Sequence, residues 1–594
     1  MRVESPDPVS RPRLSLGLLL LFGLLLQAPA LFLGFYADDY VHRMALGERG
    51  EHLPMRPWSL YDFGTRSDWE AFEATEDAFP WWTSPDWAVR FFRPLASLSL
   101  WLDQSVWADH ALGHHLTSLC LYALLLALVH RLFRALGLSP RASLLGLCLF
   151  ELGDSCVIPV GWIANRNSLL EALFAVASLV LVARDPLVAG GRSIVGALAC
   201  AAAAAASKES GVSAFALVAF FLALRSREDP SGRRRALAGV AAALALLLAW
   251  IGGLALAGFG TRSLYYVTPW REPLRFASNL CVLATGGLVS FAGPFPLDLA
   301  TLAPETRPLL VLLGLLLGLP LALWIARSVA RRHGAGVLLL WMLVFLLPQG
   351  GVAPSDRLLF VPSVGAAGLL ALFFEAQRER ARAGASSRAI RVLAVLFLAW
   401  ATLGSGASLL VQELGLVGLA DHLRTKALAT DLGAHAEGPA GVPVEVLVLQ
   451  TESQMQAFTL GETWHAEGGD ARVHFWLAQA GSRPVRWTRA GDAVFELESL
   501  GEPFLTGIFE RVYLARVPVF VRGESWRTAL FTVEALAGGD EGLRVVRFSF
   551  DRSLDDPSLR FVRPVEGVLT WIAPPLPGES IVLEKPVPSR PFVP

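Results

Sequence analysis

At 594 residues, 54% of them hydrophobic and 17% charged, with a mean hydropathy of +0.48, the chain is too apolar for a soluble protein and reads as a polytopic membrane protein. The formal net charge of -1 carries no basic surplus for a nucleic-acid partner, and its information lies in how arginines segregate into particular loops. Cys120, Cys148, Cys156, Cys200 and Cys281 lie in apolar segments with no CxxC pair, which argues against a disulfide framework or a cysteine metal site.

Arg2, Arg11 and Arg13 precede an uncharged stretch, Leu14 to Gly34, long enough to cross a hydrocarbon core of about 30 Å. A cytoplasmic N-terminus over 1–13 is therefore expected. Ala28-Pro29-Ala30 also resembles a signal-peptidase site, but the apolar run continues through Leu31-Phe32-Leu33, which favours a retained helix. Either reading leaves the adjacent carboxylates of "FYADDYVHR", Asp38 and Asp39, on the outer side.

No segment of the following loop, 35–110, is apolar enough to span until about Arg93, yet it holds Trp58, Trp69, Trp81, Trp82 and Trp87 among many acids. Such a loop is expected to rest on the membrane interface through its aromatics. Apolar runs follow at 112–133, 142–162, 168–183, 192–206, 211–224, 236–258, 308–326, 335–349, 358–375 and 389–411, which with the first makes about eleven transmembrane helices.

The basic loops test the topology. Eleven crossings put Arg131/Arg134/Arg141, Arg184/Arg192, Arg225 to Arg235, Arg327/Arg331/Arg332 and Arg378 to Arg391 all on the cytoplasmic side. This requires that segment 276–296, with Gly286, Gly287, Pro294 and Pro296, not cross, and it is read as re-entrant or outer-surface. The domain organisation is then a transmembrane domain over 14–411, a linker helix over 412–440 that is amphipathic through 415–432, and a β-rich outer-side soluble domain over 441–594. Runs at 442–449, 471–477, 517–521, 543–550 and 567–572 read as strands, with one helix at 454–463. Trp464, Trp476, Trp487, Trp526 and Trp571 are candidates either for sugar stacking or for hairpin and core packing.

This topology gathers ionisable residues at one membrane edge: Asp38, Asp39, Arg90, Arg93, Arg166, Lys208, Glu209, Asp356 and Arg357. Ionisable groups there are expensive enough to mark a functional site. The carboxylates suit general-base work and the cations suit an anion.

The ordered segments "RPLASLSLWLDQSVWADHALGHHLTSL" (Arg93 to Leu119), "GWIANRNSLLEALF" (Gly161 to Phe174), "SKESG" (Ser207 to Gly211) and "DRLLFVPSVG" (Asp356 to Gly365), behind an acidic pair, resemble the GT-C superfamily of polyprenyl-phosphate-dependent glycosyltransferases. Within it the likeness is to the protein O-mannosyltransferases and their bacterial relatives, over roughly residues 14–411. The resemblance implies a GT-C-like enzyme of the cytoplasmic (inner) membrane. It would move a sugar from a polyprenyl-phosphate donor to a protein, glycan or lipid hydroxyl at the outer face, with inversion. It implies Asp38 as general base and Asp39 as the residue orienting the acceptor or a metal. A helix N-cap is the other reading of Asp39. Arg93, Arg166, Lys208 and Arg357 become candidates for the donor phosphate, while His115, Glu209 and Asp154 are acceptor or structural candidates. The resemblance makes no cofactor certain and leaves a divalent metal open; no HExxH or paired His-carboxylate motif accompanies His115. Departures from the family pattern are Gly153-Asp154 and Ile158 for His-Pro and Glu, Ser118 and Tyr122 for Asn and His, and Leu358 for Tyr. These keep a second reading open, an inactive scaffold or lipid-binding protein of the same shape. A transporter or flippase is a third, disfavoured by the long first outer loop and the lack of an inverted repeat.

Overall fold

The structure is a computed structural model that describes residues 11–47, 53–69, 79–184, 190–292, 296–433, 442–518, 521–540 and 542–587. Arg2 and most of the N-terminus expected to be cytoplasmic lie outside the described residues.

Every apolar run identified above is helical. Eight described helices are long and apolar enough to cross a membrane: Ser15–Phe32, Ala111–Ala135, Ile163–Ala183, Glu209–Glu228, Arg233–Leu256, Pro304–Val329, Asp356–Arg382 and Arg388–Leu428. The chain is a multi-pass membrane protein. The run at 142–162 is two helices, Pro140–Glu151 and Asp154–Gly161, bent by 63° where Gly153 interrupts them. Ser139 caps the first of these, accepting the Ala142 amide, with Pro140 in its first turn. Gly191–Ala205 and Ala335–Gly351 are apolar but shorter.

Segment 276–296 forms most of a continuous helix, Pro273–Ala292. A Cβ on Gly314 would meet Thr285, and one on Gly318 would meet Leu288, so this helix and the following one run parallel. Consecutive helices can be parallel only if the connector doubles back, and Leu297 indeed packs against Gly286 and donates its amide to Asp356. The next helix therefore starts from the end at which this one started.

The last span does not stop near 411. Arg388–Ala399 passes through a π-turn, Trp400–Gly404, directly into Ser405–Leu428. The separate linker helix expected from 412 is thus the upper half of one helix of 41 residues, about 60 Å long. No glycine pair or proline in 405–428 breaks the hydrogen-bond ladder, and its hydrophobic face simply changes partner from the bundle to the outer domain. Residues 434–440 lie outside the described residues.

Beyond it two sheets pack together. The six-stranded antiparallel sheet has the order β13-β6-β7-β10-β9-β8, where β6 is Val485–Arg489, β7 Val494–Ser499, β8 Ser525–Arg527, β9 Phe531–Gly539, β10 Gly542–Phe550 and β13 Ser580–Leu583. The four-stranded sheet runs β12-β11-β4-β5, with β4 Val444–Val448, β5 Val473–Leu477, β11 Leu559–Val565 and β12 Val568–Trp571. Strands β4 and β5 are parallel and need a crossover, which helix Gln454–Ala466 supplies. Residues 517, 518 and 521 are not in a strand; 519 and 520 lie outside the described residues.

The tryptophan-rich loop corrects its own expectation. Trp69, Trp81, Trp82 and Trp87 are buried rather than laid on the membrane, and of the five named above only Trp58 is exposed. Trp81 and Trp82 enter the core of the β-rich domain beside Trp476 and Phe548, and Trp81 donates its indole N–H to the Ala478 carbonyl at 3.1 Å. Trp87 does the same to Val512 at 2.9 Å. The loop also supplies β1 (Asp62–Thr65) and β2 (Ala88–Arg90) to a three-stranded sheet completed by β3, Gly260–Arg262. The aromatics are thus bolts between the bundle and the outer domain. Trp487 is fully buried in that domain's core, whereas Trp571 is exposed.

Candidate active site

Between the bundle and the outer domain lies a cavity of about 1510 Å³. Asp38, Arg93, Lys208, Glu209 and Arg357 all line it, although they come from segments up to 319 residues apart. Asp39, His115, Asp154 and Arg166 do not.

Asp38 and Asp39 open the helix Asp38–Leu46 and point apart, as adjacent helical residues must. Asp39 is 2% exposed and fully engaged. Its Oδ2 accepts the Tyr36 amide at 3.0 Å and its Oδ1 accepts the Ala164 amide at 2.7 Å. Burial pushes its carboxyl up to about 8, against the pull of those two amides. Asp39 thus ties the acidic segment to the Trp162-to-Asn167 turn, and its oxygens are not free to orient an acceptor. Trp162 reinforces the tie through an indole bond to the Tyr36 carbonyl at 3.0 Å, and Tyr61 donates to the Ala164 carbonyl at 2.6 Å.

The result is that Asp38 alone is presented to the cavity. It makes no hydrogen bond or ion pair among the described residues, and Ala37 before it holds a positive φ of 49°, a conformation that costs a non-glycine residue about 1–3 kcal/mol and persists where its surroundings enforce it. Burial raises the Asp38 carboxyl above the ordinary range, opposed by the positive charges of Arg357 and Arg93.

The cations differ in their readiness to meet an anion. Arg93 is clasped by Glu209 through Nε and Nη2, the latter at 2.7 Å, and lies over the rings of Phe91 and Tyr61. Lys208 donates to Ser168 Oγ at 2.9 Å and sits 4.0 Å from the buried Glu171; burial lowers it to about 8. Arg357 stands over the Trp162 ring at 5.6 Å and forms no hydrogen bond or ion pair among the described residues. Asp298, a residue without a sequence signal, stands near it and accepts from Ser355 and the Asp356 amide.

Arg166 corrects its expected role. It is fully buried, pairs with Asp103 at 2.5 Å and donates to Ser118, Ser99 and the His114 carbonyl. Four of its five N–H groups are engaged in this buried network, and it does not line the cavity. His115 is buried and bonds the Gly34 carbonyl through Nε2 at 2.9 Å. Asp154 accepts from Ser408 and Gln412, both at 3.3 Å, behind the cavity wall. Both therefore serve the packing of helices rather than a ligand in this cavity.

The "SKESG" turn is held by backbone against backbone. A Cβ on Gly211 would lie 2.2 Å from the Ala204 carbonyl oxygen. Gly211→Ala is therefore expected to destabilise by about 1–3 kcal/mol and to displace Lys208, read as a lower thermal midpoint of the detergent-solubilised protein. An unchanged midpoint would show that the turn is slack.

The cavity also has an apolar flank, where Leu247, Ile251 and Leu254 of helix Arg233–Leu256 face Val344 and Leu347. Leu248 and Leu256 of the same helix are exposed at 70% and 92%, on what would be its lipid-facing side. Its opposite wall and roof carry Tyr266, Tyr513 and Glu462, none of which the sequence marks. Among the described residues no group of three or more His, Cys, Asp and Glu is arranged to hold a metal ion.

No family model matches the chain, nor does any curated protein. Among solved structures it is similar to the Archaeoglobus fulgidus oligosaccharyltransferase tethered with an acceptor peptide, at 12% identity and a TM-score of 0.40, covering 76% of this chain and 63% of that one. It is also similar to the archaeal oligosaccharyltransferase AglB from the same organism in complex with an inhibitory peptide and a dolichol-phosphate, at 12% and 0.41, with the same coverage. A third is ArnT from Cupriavidus metallidurans bound to undecaprenyl phosphate, at 13% and 0.39, covering 90% of this chain and 97% of that one. The chain thus spans 63% of the length of the oligosaccharyltransferase. Likeness at this level assigns neither a family nor an activity.

Proposed function

We propose that this protein is a GT-C-type membrane glycosyltransferase that moves a sugar from a polyprenyl-phosphate donor to an acceptor hydroxyl. One observation carries the reading: a carboxylate, Asp38, and a guanidinium, Arg357, neither of them hydrogen-bonded or ion-paired among the described residues, share a cavity with an apolar flank. A lipid-linked phosphate needs that combination of a hydrocarbon path and a fixed cation. The cavity, at about 1510 Å³, exceeds the roughly 300–1,000 Å³ usual for one small ligand and leaves room for two.

In this reading the isoprenoid chain enters between helices Arg233–Leu256 and Ala335–Leu346, and its phosphate meets Arg357, with Lys208 and Arg93 next to it. The acceptor oxygen attacks the anomeric carbon as its bond to the phosphate oxygen breaks. Asp38 takes the hydroxyl proton, and the leaving phosphate carries its charge to Arg357. Attack opposite the leaving group inverts the anomeric centre. The segregation of arginines supports a cytoplasmic N-terminus, with the cavity and β-rich domain on the outer side of the cytoplasmic membrane. The likeness to protein O-mannosyltransferases makes mannose the first donor to test.

The full-length protein in nanodiscs, given a panel of polyprenyl-phosphate sugars, is expected to turn over at least one. Arg357→Gln should weaken lipid-phosphate binding by roughly ten- to hundredfold, from the loss of about 1.5–3 kcal/mol of charged hydrogen bonding. Equal affinity in the variant would remove Arg357 from the site. The neutralised state of Arg93 and Lys208 favours a second reading, a lipid-phosphate-binding protein without turnover; binding of undecaprenyl phosphate with no transfer from any donor would select it.

A further inference from the structure

Several carboxylates of the outer domain near helix Gln454–Ala466 are used by the fold. Glu467 accepts from the Tyr40 hydroxyl at 3.2 Å, Glu445 accepts the Trp476 indole N–H at 2.6 Å, and Glu452 meets His422 at 3.3 Å. Glu462, on the cavity side of helix Gln454–Ala466, bonds no other residue among those described. The charge that acts on it is that of Asp38, which lines the same cavity; burial first and that charge after it push its carboxyl up to about 7. The Tyr513 hydroxyl lies within electrostatic reach of both carboxylates, and that of Tyr266 within reach of Asp38 and Arg357. Neither hydroxyl has a hydrogen-bond partner among the described residues. These groups come from the outer domain and from the loop after helix Arg233–Leu256, so the placement is made by the docking of two domains rather than by one local turn.

We propose that Glu462, Tyr513 and Tyr266 form an acceptor subsite for an uncharged, hydroxyl-rich group such as a sugar ring, and that Glu462 with Asp38 excludes carboxylated or phosphorylated acceptors. The word acceptor rests on the glycosyl-transfer reading; the binding chemistry does not. A carboxylate accepts two hydrogen bonds from neighbouring hydroxyls, and a phenol gives or takes one while its ring packs against C–H faces. Arg93 and Arg357 act on Asp38 and Tyr266 but not on Glu462 or Tyr513, and the donor phosphate would occupy them. An anionic acceptor seated against Glu462 and Tyr513 would therefore face the two carboxylates, a repulsive device that selects by charge. In this arrangement the β-rich domain is the specificity half of the site and the bundle the chemical half.

The test uses the full chain in nanodiscs with methyl α-D-glucopyranoside and D-glucuronate as probes, read by quenching of tryptophan fluorescence. Wild type is expected to bind the methyl glucoside saturably and at least tenfold more tightly than glucuronate. Glu462→Gln, which keeps size and shape, should bring the two within about threefold by removing the repulsion; Tyr513→Phe should weaken the glucoside severalfold. No saturable glucoside binding, equal binding of both probes to wild type, or an unchanged preference in Glu462→Gln would each overturn the subsite. Undecaprenyl phosphate binding, measured on the same samples, separates the two readings. Its absence beside charge-selective saccharide binding would overturn the transferase and leave the subsite standing, and the converse would overturn the subsite alone.

Discussion

Asparagine at position 38 is expected to lower the rate of sugar transfer by roughly 10²- to 10⁴-fold, the range typical of a lost general base, while leaving lipid-phosphate affinity within about twofold. The expectation follows from the division of labour between neighbours. Asp39 is consumed by the Tyr36 and Ala164 amides, so Asp38 is the carboxylate left to take a proton. The substitution keeps size and removes only the basic lone pairs and the charge. A pH series gives a second readout. The base must be ionised, and the folded protein holds its carboxyl above the ordinary range, so wild-type rates should fall as pH drops through that raised value. Glu462, with its carboxyl pushed to about 7, titrates in the same cavity, so the acid limb must persist in Glu462→Gln to belong to Asp38. Turnover unaffected by Asp38→Asn would remove the residue from the mechanism.

The second large effect concerns folding. Asp103→Asn leaves the fully buried Arg166 charged and without its partner, and breaking one side of such a pair is expected to cost about 3–5 kcal/mol. The protein should aggregate on extraction or lose many degrees of thermal midpoint in detergent. Removing both charges with apolar residues, Arg166→Met with Asp103→Leu, should recover most of that loss, because two desolvation penalties vanish with the attraction. If Arg166→Met instead kept its stability and lost lipid-phosphate affinity, Arg166 would be a ligand group after all.

That pair also shows where the sequence is legible. Apolar runs and period-two strands depend on neighbours in the chain, and the helices and most strands follow from them. Asp38 stands out because a charge pair beside a span is costly wherever it folds. Arg166 looked like a free cation because its counter-ion is 63 residues away, on helix Pro94–Trp107. Only the bundle brings them together. Glu462 is invisible for the complementary reason: "TLGETWHA" is an ordinary helical segment, and the residue becomes unusual only when its helix brings it to a cavity shared with Asp38. The tryptophans of the first loop have the composition of an interfacial anchor, and nothing local says that a protein core rather than lipid receives them.

Those tryptophans also impose an order on synthesis. Trp81 bonds Ala478, 397 residues later. At a translation rate of about 5–20 residues per second, the aromatic pair is made roughly 20–80 seconds before its receiving core exists. For that interval Trp81 and Trp82 lack the core that buries them. Truncation within the β-rich domain is therefore expected to leave a bundle that inserts but whose first loop is open to protease.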